Sequence, residues 1–508
     1  MTAVSAYERE SEALQPERAL TAVPKVVAML KAGRLGLAVQ TLRAHLKDHP
    51  RDLSARFHLV DALLRANRLQ PALDEIEALL ALAPDNPVFR AQKAAALEAV
   101  ENHDGAAALW RGIVRDGAVP PECWLRFGHV LRAMGATEEA LNAYRQAIAQ
   151  DTGFGRAWWA LADLKTYRFS TDDIAAMESA LEGAVQANRV AIHFALGKAL
   201  GDEKRYEESF GHYARGNALH RVTIHHDPAL LGSYVARCRE AFTPDMMRAR
   251  TNAGCESRDP IFIVGMMRAG STLLEQMLAS HSRIEGTKEL TDLVTIARDL
   301  QAKLGASYPR GIETIEAAEL KRLGERYIQS TQLHRKTVRP FFLDKMGANF
   351  VYVGLIALIL PNAKIVDMRR HPMACGFSTF VQYFPKGQNN TYRLSDIGQL
   401  YRDYVALMAQ FDRTAPGKVH RVIYEQLVAD PEGELKRLFD YLELPYETAC
   451  LDFHKTARVV TTASSEQVRR PIHNEGLEQW RHYEPWLQPL KTALGPVLDA
   501  YPGVPELG

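Results

Sequence analysis

Residues 259–289 read DPIFIVGMMRAGSTLLEQMLASHSRIEGTKE. The run Ile261–Gly265 is short and apolar, the pattern of a buried strand. Gly265 and Gly270 permit a tight turn, and LLEQMLASH then takes up a helical phase. Strand, small-residue loop and helix together make a grip for an oxyanion. The backbone N–H groups of 269–273 gather at a helix N-terminus, whose dipole favours negative charge. Ser271 and Thr272 add hydroxyl donors, and Arg268 adds a rigid fork suited to a tetrahedral oxyanion. The lysine of the P-loop pattern GxxxxGK[ST] is absent.

Downstream, apolar runs continue to alternate with helical stretches. IFIVG (261–265), PFFLD (340–344), AKIVDM (363–368) and VHRVIYE (419–425) read as strands. LLEQMLASH, NFVYVGLIALIL, ACGFSTFVQYF and PEGELKRLFDYL read as the helices after them. This alternation predicts a mainly parallel sheet covered on both faces, with ligands at the carboxyl ends of its strands. A second anion element leaves the strand KIVDM: MRRHPMACGFSTF carries Arg370 and Ser378. Those two residues could close on a second phosphate, although taken alone they read more readily as a helix-capping arginine with a serine on a solvated face.

Upstream, the chain repeats. Ala38, Ala72, Ala106 and Ala140 recur every 34 residues, and Pro50 and Pro84 keep the same step. The fullest copy, CWLRFGHVLRAMGATEEALNAYRQAIAQD, carries Trp124, Phe127, Gly128, Ala140, Tyr144 and Ala147. Small residues let two antiparallel helices approach, and large ones fill the holes between them. The period and code resemble the tetratricopeptide repeat, whose units bury their apolar faces only by stacking. A looser copy contains Gly197, Ser209 and Tyr213 in phase. The expected division is a polar tail at 1–22, helical repeats at 23–220, a helical linker at 221–257 and an α/β domain at 258–508.

The 508 residues are 47% hydrophobic and 24% charged, with a net charge of +1. Near-neutrality argues against a nucleic-acid partner. Five scattered cysteines form no CxxC pair, so neither a zinc site nor a disulfide framework is expected. His281 and His371 flank the two anion loops without HExxH or HxH spacing, and no metal is expected. The start MTAVSAYERESEALQPERAL lacks a basic segment followed by an apolar core, and no run reaches the ~20 apolar residues of a membrane span. A cytoplasmic protein is the expectation.

Taken together, RAGSTLLEQMLASH and the Arg370/Ser378 element resemble the sulfotransferases that use 3′-phosphoadenosine 5′-phosphosulfate (PAPS). VIYEQLVADPEGELKRLFDYLELP and ASSEQVRRPI extend the likeness to the protein-tyrosine sulfotransferases and to bacterial sulfotransferases fused to tetratricopeptide repeats. The resemblance covers residues 260–485. It implies that Arg268, Ala269, Gly270, Ser271 and Thr272 hold the 5′-phosphosulfate and that Arg370 and Ser378 hold the 3′-phosphate. It also implies that Tyr424 lies by the nucleotide, that Glu289 is the general base, and that Lys345 and Ser464 serve the bridging oxygen. Three positions depart from the family pattern. Met267 and Ala269 stand where proline and serine are usual around the arginine, and Gly347 stands where a proline follows the lysine's neighbour.

The chemistry fits those roles. A migrating SO3 group carries less negative charge than a phosphoryl group, so donors and cations can serve where phosphoryl transfer uses magnesium. Arg268, Lys345 and Ser464 would stabilise charge on the departing bridging oxygen, and a carboxylate would take the acceptor's proton. The implied partners are the nucleotide donor, a hydroxyl acceptor with peptide or protein favoured over carbohydrate or metabolite, and a protein or second copy on the repeat surface. The competing readings are a nucleotide kinase, disfavoured by the missing lysine, and a repeat scaffold with a catalytically weak domain, disfavoured by Arg268, Glu289, Lys345 and Arg370.

Overall fold

The computed structural model describes residues 23–66, 68–117, 119–287, 289–305, 308–384, 387–456 and 467–505. They fall into two compact units. One is the described chain up to Asp163 with Ala175–Ala184; the other is Leu164–Ile174 with the described chain from Val185 onward. Among the described residues no helix is long and apolar enough to cross a membrane.

The first unit is built of paired helices, running from Leu35–Asp48 and Leu53–Arg65 through Pro121–Met134 and Thr137–Gln150. The four in-phase alanines Ala38, Ala72, Ala106 and Ala140 are all fully buried. Helix starts also keep the period. Asp52 accepts from Ala55 N–H, and Asn86, one repeat later, accepts from Val88 N–H, each at 2.9 Å. Such caps satisfy donors that a helix start leaves without an intrahelical partner. Gly128 supplies the closest approach: a Cβ there would lie 2.4 Å from the Tyr144 ring.

The same device recurs in the second unit. Gly197 and Tyr213 stand at the sequence separation of Gly128 and Tyr144, and a Cβ on Gly197 would lie 2.8 Å from Tyr213. Their helices, Gln186–Asp202 and Tyr206–Arg221, pack within the unit that contains the sheet. Asn217 donates to the Phe380 carbonyl at 3.0 Å, the Ser209 hydroxyl lies 2.9 Å from that of Tyr483, and Phe194 stacks on Tyr383 at 5.3 Å. This hairpin therefore buttresses the helix Pro372–Phe380, which carries Ser378.

The sheet has five strands: β1 Pro260–Gly265, β2 Ile284–Gly286, β3 Phe341–Asp344, β4 Lys364–Arg369 and β5 Val419–Ile423. All neighbours are parallel, in the order β2-β3-β1-β4-β5. The four strands expected from the sequence are present. β2 escapes the pattern because three residues ending in glycine show no alternation. β1 is buried along its whole length, as a continuous apolar run in a doubly covered sheet should be. Ile263 pairs with Val366 and Gly265 with Met368, so β1 and β4 end side by side. From β1 the chain crosses toward β2, and from β4 toward β5. Connections that diverge in this way leave a ligand crevice above the two strand ends.

At the end of β3, Asp344 is fully buried and accepts a 2.8 Å hydrogen bond from the Tyr327 hydroxyl. Burial pushes its carboxyl up to about 7, against the pull of the Tyr327 hydrogen bond and of Lys345. The folded state therefore binds this proton more tightly than the unfolded chain. The resulting stability is fully present below the ordinary value of 3.8 and is lost as pH rises through about 7.

Two outcomes follow from the packing. Gly128→Ala should cost about 1–3 kcal/mol, the usual scale for overpacking, whereas Gly36→Ala, with open space around it, should leave the urea midpoint unchanged or raised. Equal midpoints for the two variants would contradict the Gly128–Tyr144 contact. Asp344→Asn, a permanently neutral side chain, should gain stability relative to the native chain as pH rises from 4 to 8; a difference flat across that range would show Asp344 does not titrate as described.

Candidate active site

The loop after β1 has an unusual backbone. Gly265 (φ 140°) and Gly270 (φ 100°) lie at positive φ, and so does Arg268, a non-glycine residue at φ 63°. A side chain held in that region costs about 1–3 kcal/mol, and such strain collects at functional sites. Glycine is required at both ends. A Cβ on Gly265 would meet the Met368 carbonyl at 2.4 Å, and one on Gly270 would meet the Tyr424 ring at 2.4 Å. The helix Ser271–Ala279 begins immediately after Gly270, so its first-turn amides are presented at the end of the loop.

The element after β4 closes on this loop. Arg268 Nε donates to Ser378 Oγ at 3.1 Å. Arg370 Nη1 donates to the Arg268 carbonyl at 3.0 Å and Nη2 to the Gly476 carbonyl at 2.5 Å. The Arg370 guanidinium also lies 4.8 Å over the Tyr424 ring. Tyr401 donates to the Arg370 carbonyl at 2.6 Å, and Cys375 Sγ donates to the Met267 carbonyl at 3.2 Å. Residues following β1, β4 and β5 thus converge on one place. Arg370 Nε is buried without a protein acceptor among the described residues.

A second cluster stands at the end of β3. Lys345 Nζ lies 2.6 Å from Glu289 Oε1 and 3.8 Å from Glu275 Oε2. Lys345 and Glu275 are buried, whereas the Glu289 side chain is 54% exposed. Glu289 can therefore meet a substrate. The cluster adjoins the first loop through Gly347, where a Cβ would come within 2.8 Å of the Gly265 carbonyl. Gly347 thus lets the Lys345 loop approach closely, and the Asn349 N–H bond to the Met346 carbonyl at 2.8 Å fastens that loop.

Of the residues singled out from sequence, Arg268, Gly270, Arg370, Ser378 and Tyr424 form one contact network, and Lys345 pairs with Glu289. Ala269 is buried, and its N–H donates to the Met266 carbonyl at 3.3 Å. Ser271 and Thr272 form the first turn of the helix. Ser464 lies outside the described residues. Glu275 was passed over by the sequence reading; its signal is a carboxylate at a core-facing phase of LLEQMLA. His281 is a packing residue, fully buried, stacked on Phe439 at 5.0 Å and 2.9 Å from the Pro445 carbonyl. His371 stacks on Trp480 at 5.4 Å. Among the described residues no group of three or more His, Cys, Asp or Glu is arranged to hold a metal.

Two stretches of the chain match known families. Residues 260–448 match the Sulfotransferase family, and residues 26–87 match a tetratricopeptide repeat. An Aquifex aeolicus protein, described as uncharacterized, is 30% identical over 373 residues, covering 71% of this chain and 48% of its own length. The chain thus spans about half the length of that relative. A putative protein-tyrosine sulfotransferase of Caenorhabditis briggsae is 23% identical over 225 residues, covering 43% of this chain and 80% of its own. The protein-tyrosine sulfotransferase of Drosophila melanogaster is 24% identical over 301 residues, 55% of this chain and 59% of its own. Among solved structures, the sulfotransferase domain of the Synechococcus PCC 7002 olefin synthase overlaps 44% of this chain and 88% of its own at 22% identity and a TM-score of 0.34, too loose a likeness to add to the reading. The chain joins a tetratricopeptide-repeat region, matched at 26–87, to a sulfotransferase-family domain, matched at 260–448.

Proposed function

We propose that this domain transfers the sulfuryl group of PAPS to a hydroxyl acceptor, a protein tyrosine in the first instance. The observation that carries this reading is the junction of Arg268, Ser378, Arg370 and Tyr424 above the adjoining ends of β1 and β4. Two candidate anion elements from separate crossovers meet there, in direct hydrogen-bond contact. The loop amides and hydroxyls of 269–272 with Arg268 would take the 5′-phosphosulfate. Arg370, with its unpartnered Nε, and Ser378 would take the 3′-phosphate. Tyr424, already under the Arg370 guanidinium, would flank the nucleotide.

In the transfer, the acceptor oxygen forms a bond to sulfur while the bond from sulfur to the bridging oxygen breaks. Negative charge then grows on that oxygen, where Arg268 and Lys345 act as fixed cationic donors. Glu289, the exposed member of the Lys345 cluster, takes the acceptor's proton. Ser464 is proposed to serve the same leaving oxygen on its sequence pattern alone. A tyrosine acceptor rests on the names of the Caenorhabditis and Drosophila relatives. The repeat region would then present a protein acceptor or partner, the general use of such concave surfaces.

Calorimetry with 3′,5′-adenosine bisphosphate tests the nucleotide site. Arg370→Ala should weaken binding about 10- to 100-fold, the loss expected for a charged hydrogen-bonding contact; undiminished affinity would remove Arg370 from the site. Glu289→Gln should lower kcat by about 100-fold or more with nucleotide affinity kept, the scale of general-base removal. Near-normal turnover would exclude Glu289 as the base. Incubation with radiolabelled PAPS and a cell lysate should label protein on tyrosine, and label confined to sugar or small molecules would redirect the acceptor assignment.

A further inference from the structure

We propose that Glu275 is a positioning residue that holds Lys345 against the anion loop when Glu289 leaves it to take the acceptor's proton; the inference rests on the function proposed above. Three facts support it. Glu275 lies one turn into the helix Ser271–Ala279, and side chains on a helix lean toward its N-terminus. Its side chain is therefore directed toward the loop end of that helix. Its neighbours in the helix, Leu274, Met277 and Leu278, are fully buried, so packing alone would favour an apolar residue at 275. A negative charge so close to an anion-binding helix end works against anion binding unless a cation stands beside it. Lys345 Nζ stands beside it, 3.8 Å away.

Exposure divides the labour between the two carboxylates. Glu289 is more than half exposed and bonds Lys345 at 2.6 Å; the Glu275 side chain is 6% exposed and cannot reach an acceptor in solvent. When Glu289 accepts the proton it becomes neutral, and its ion pair with Lys345 is lost. A buried ammonium left with no counter-charge is strongly disfavoured. Glu275 supplies the remaining partner, so Lys345 stays in place while charge grows on the bridging oxygen.

A double-mutant cycle with Lys345 tests this, because coupling between two residues appears only if they act together. Glu275→Gln should lower kcat about 10- to 100-fold, the scale of a misplaced catalytic group, with the KM for PAPS and the calorimetric affinity for 3′,5′-adenosine bisphosphate little changed. Glu275→Asp, which keeps the charge, should recover part of the rate. In a Lys345→Met background, where the residual rate is low, Glu275→Gln should cost nothing further. Equal fold-losses in the two backgrounds, an undiminished kcat, or a collapse of nucleotide affinity would each overturn the proposal while leaving the sulfotransferase reading intact. If Glu275→Gln does not fold but Glu275→Gln with Lys345→Met does, the pairing is supported; if neither folds, Glu275 serves the fold and the proposal fails. A native chain that transfers no sulfuryl group from PAPS removes both readings together.

Discussion

The hydrogen bond from Arg370 to the carbonyl of Arg268 is the constraint on which the site depends. It joins the loop after β1 to the loop after β4, and it works because those strands end in register, Gly265 beside Met368. Arg268 answers by donating to Ser378. Each arginine thus fixes the other's element. The left-handed backbone at Arg268 is tolerated because its neighbours hold it from both sides: Arg370 and Ser378 across the crevice, and Gly265 and Gly270 along the chain. Strain of this kind persists only where the surroundings over-determine it.

Around that junction the charges are arranged for a negatively charged ligand. Arg268 and Arg370 face the crevice from two crossovers, and Lys345 approaches from a third. Of the carboxylates nearby, Glu275 and Glu289 are tied to Lys345, and Glu425 accepts from the His371 N–H at 3.0 Å and from the Tyr501 hydroxyl. Beneath it β1 is apolar and buried along its length, while the neighbouring β4 carries a buried ion pair, Arg369 to Asp367 at 3.0 Å, with Tyr404 and Arg421 also donating to Asp367; together they hold the strand ends rigid. In such a setting preorganised donors stabilise developing charge far better than water does.

The helical pair Gln186–Asp202 and Tyr206–Arg221 gives the site an outer support. Its Gly197–Tyr213 contact is that of a repeat, yet its partners Phe380, Tyr383 and Tyr483 belong to the sheet-bearing unit. A repeat hairpin must cover its apolar face with something, and here the helix bearing Ser378 does so. Packing of a repeat-type element and placement of Ser378 against Arg268 have become the same structural problem.

Much of this was legible in the sequence because it rests on local periodicity and local chemistry. The in-phase alanines, the apolar run before Gly265, and the two glycines of the loop are each dictated by neighbours a few residues away, and four of the five strands follow from that. The three-residue strand β2, the burial of Glu275 beside Lys345, and the docking of the Gly197 hairpin were not legible. Each depends on partners tens to hundreds of residues distant, and no local pattern encodes which distant surface will arrive. By itself the sequence determined the repeat, the parallel sheet and the position of the two loops that follow β1 and β4, since these follow from side-chain size, phase and backbone freedom. Only the tertiary structure decided that the loops meet and which carboxylate is exposed, because convergence of charges is set by strand order and burial rather than by spacing along the chain.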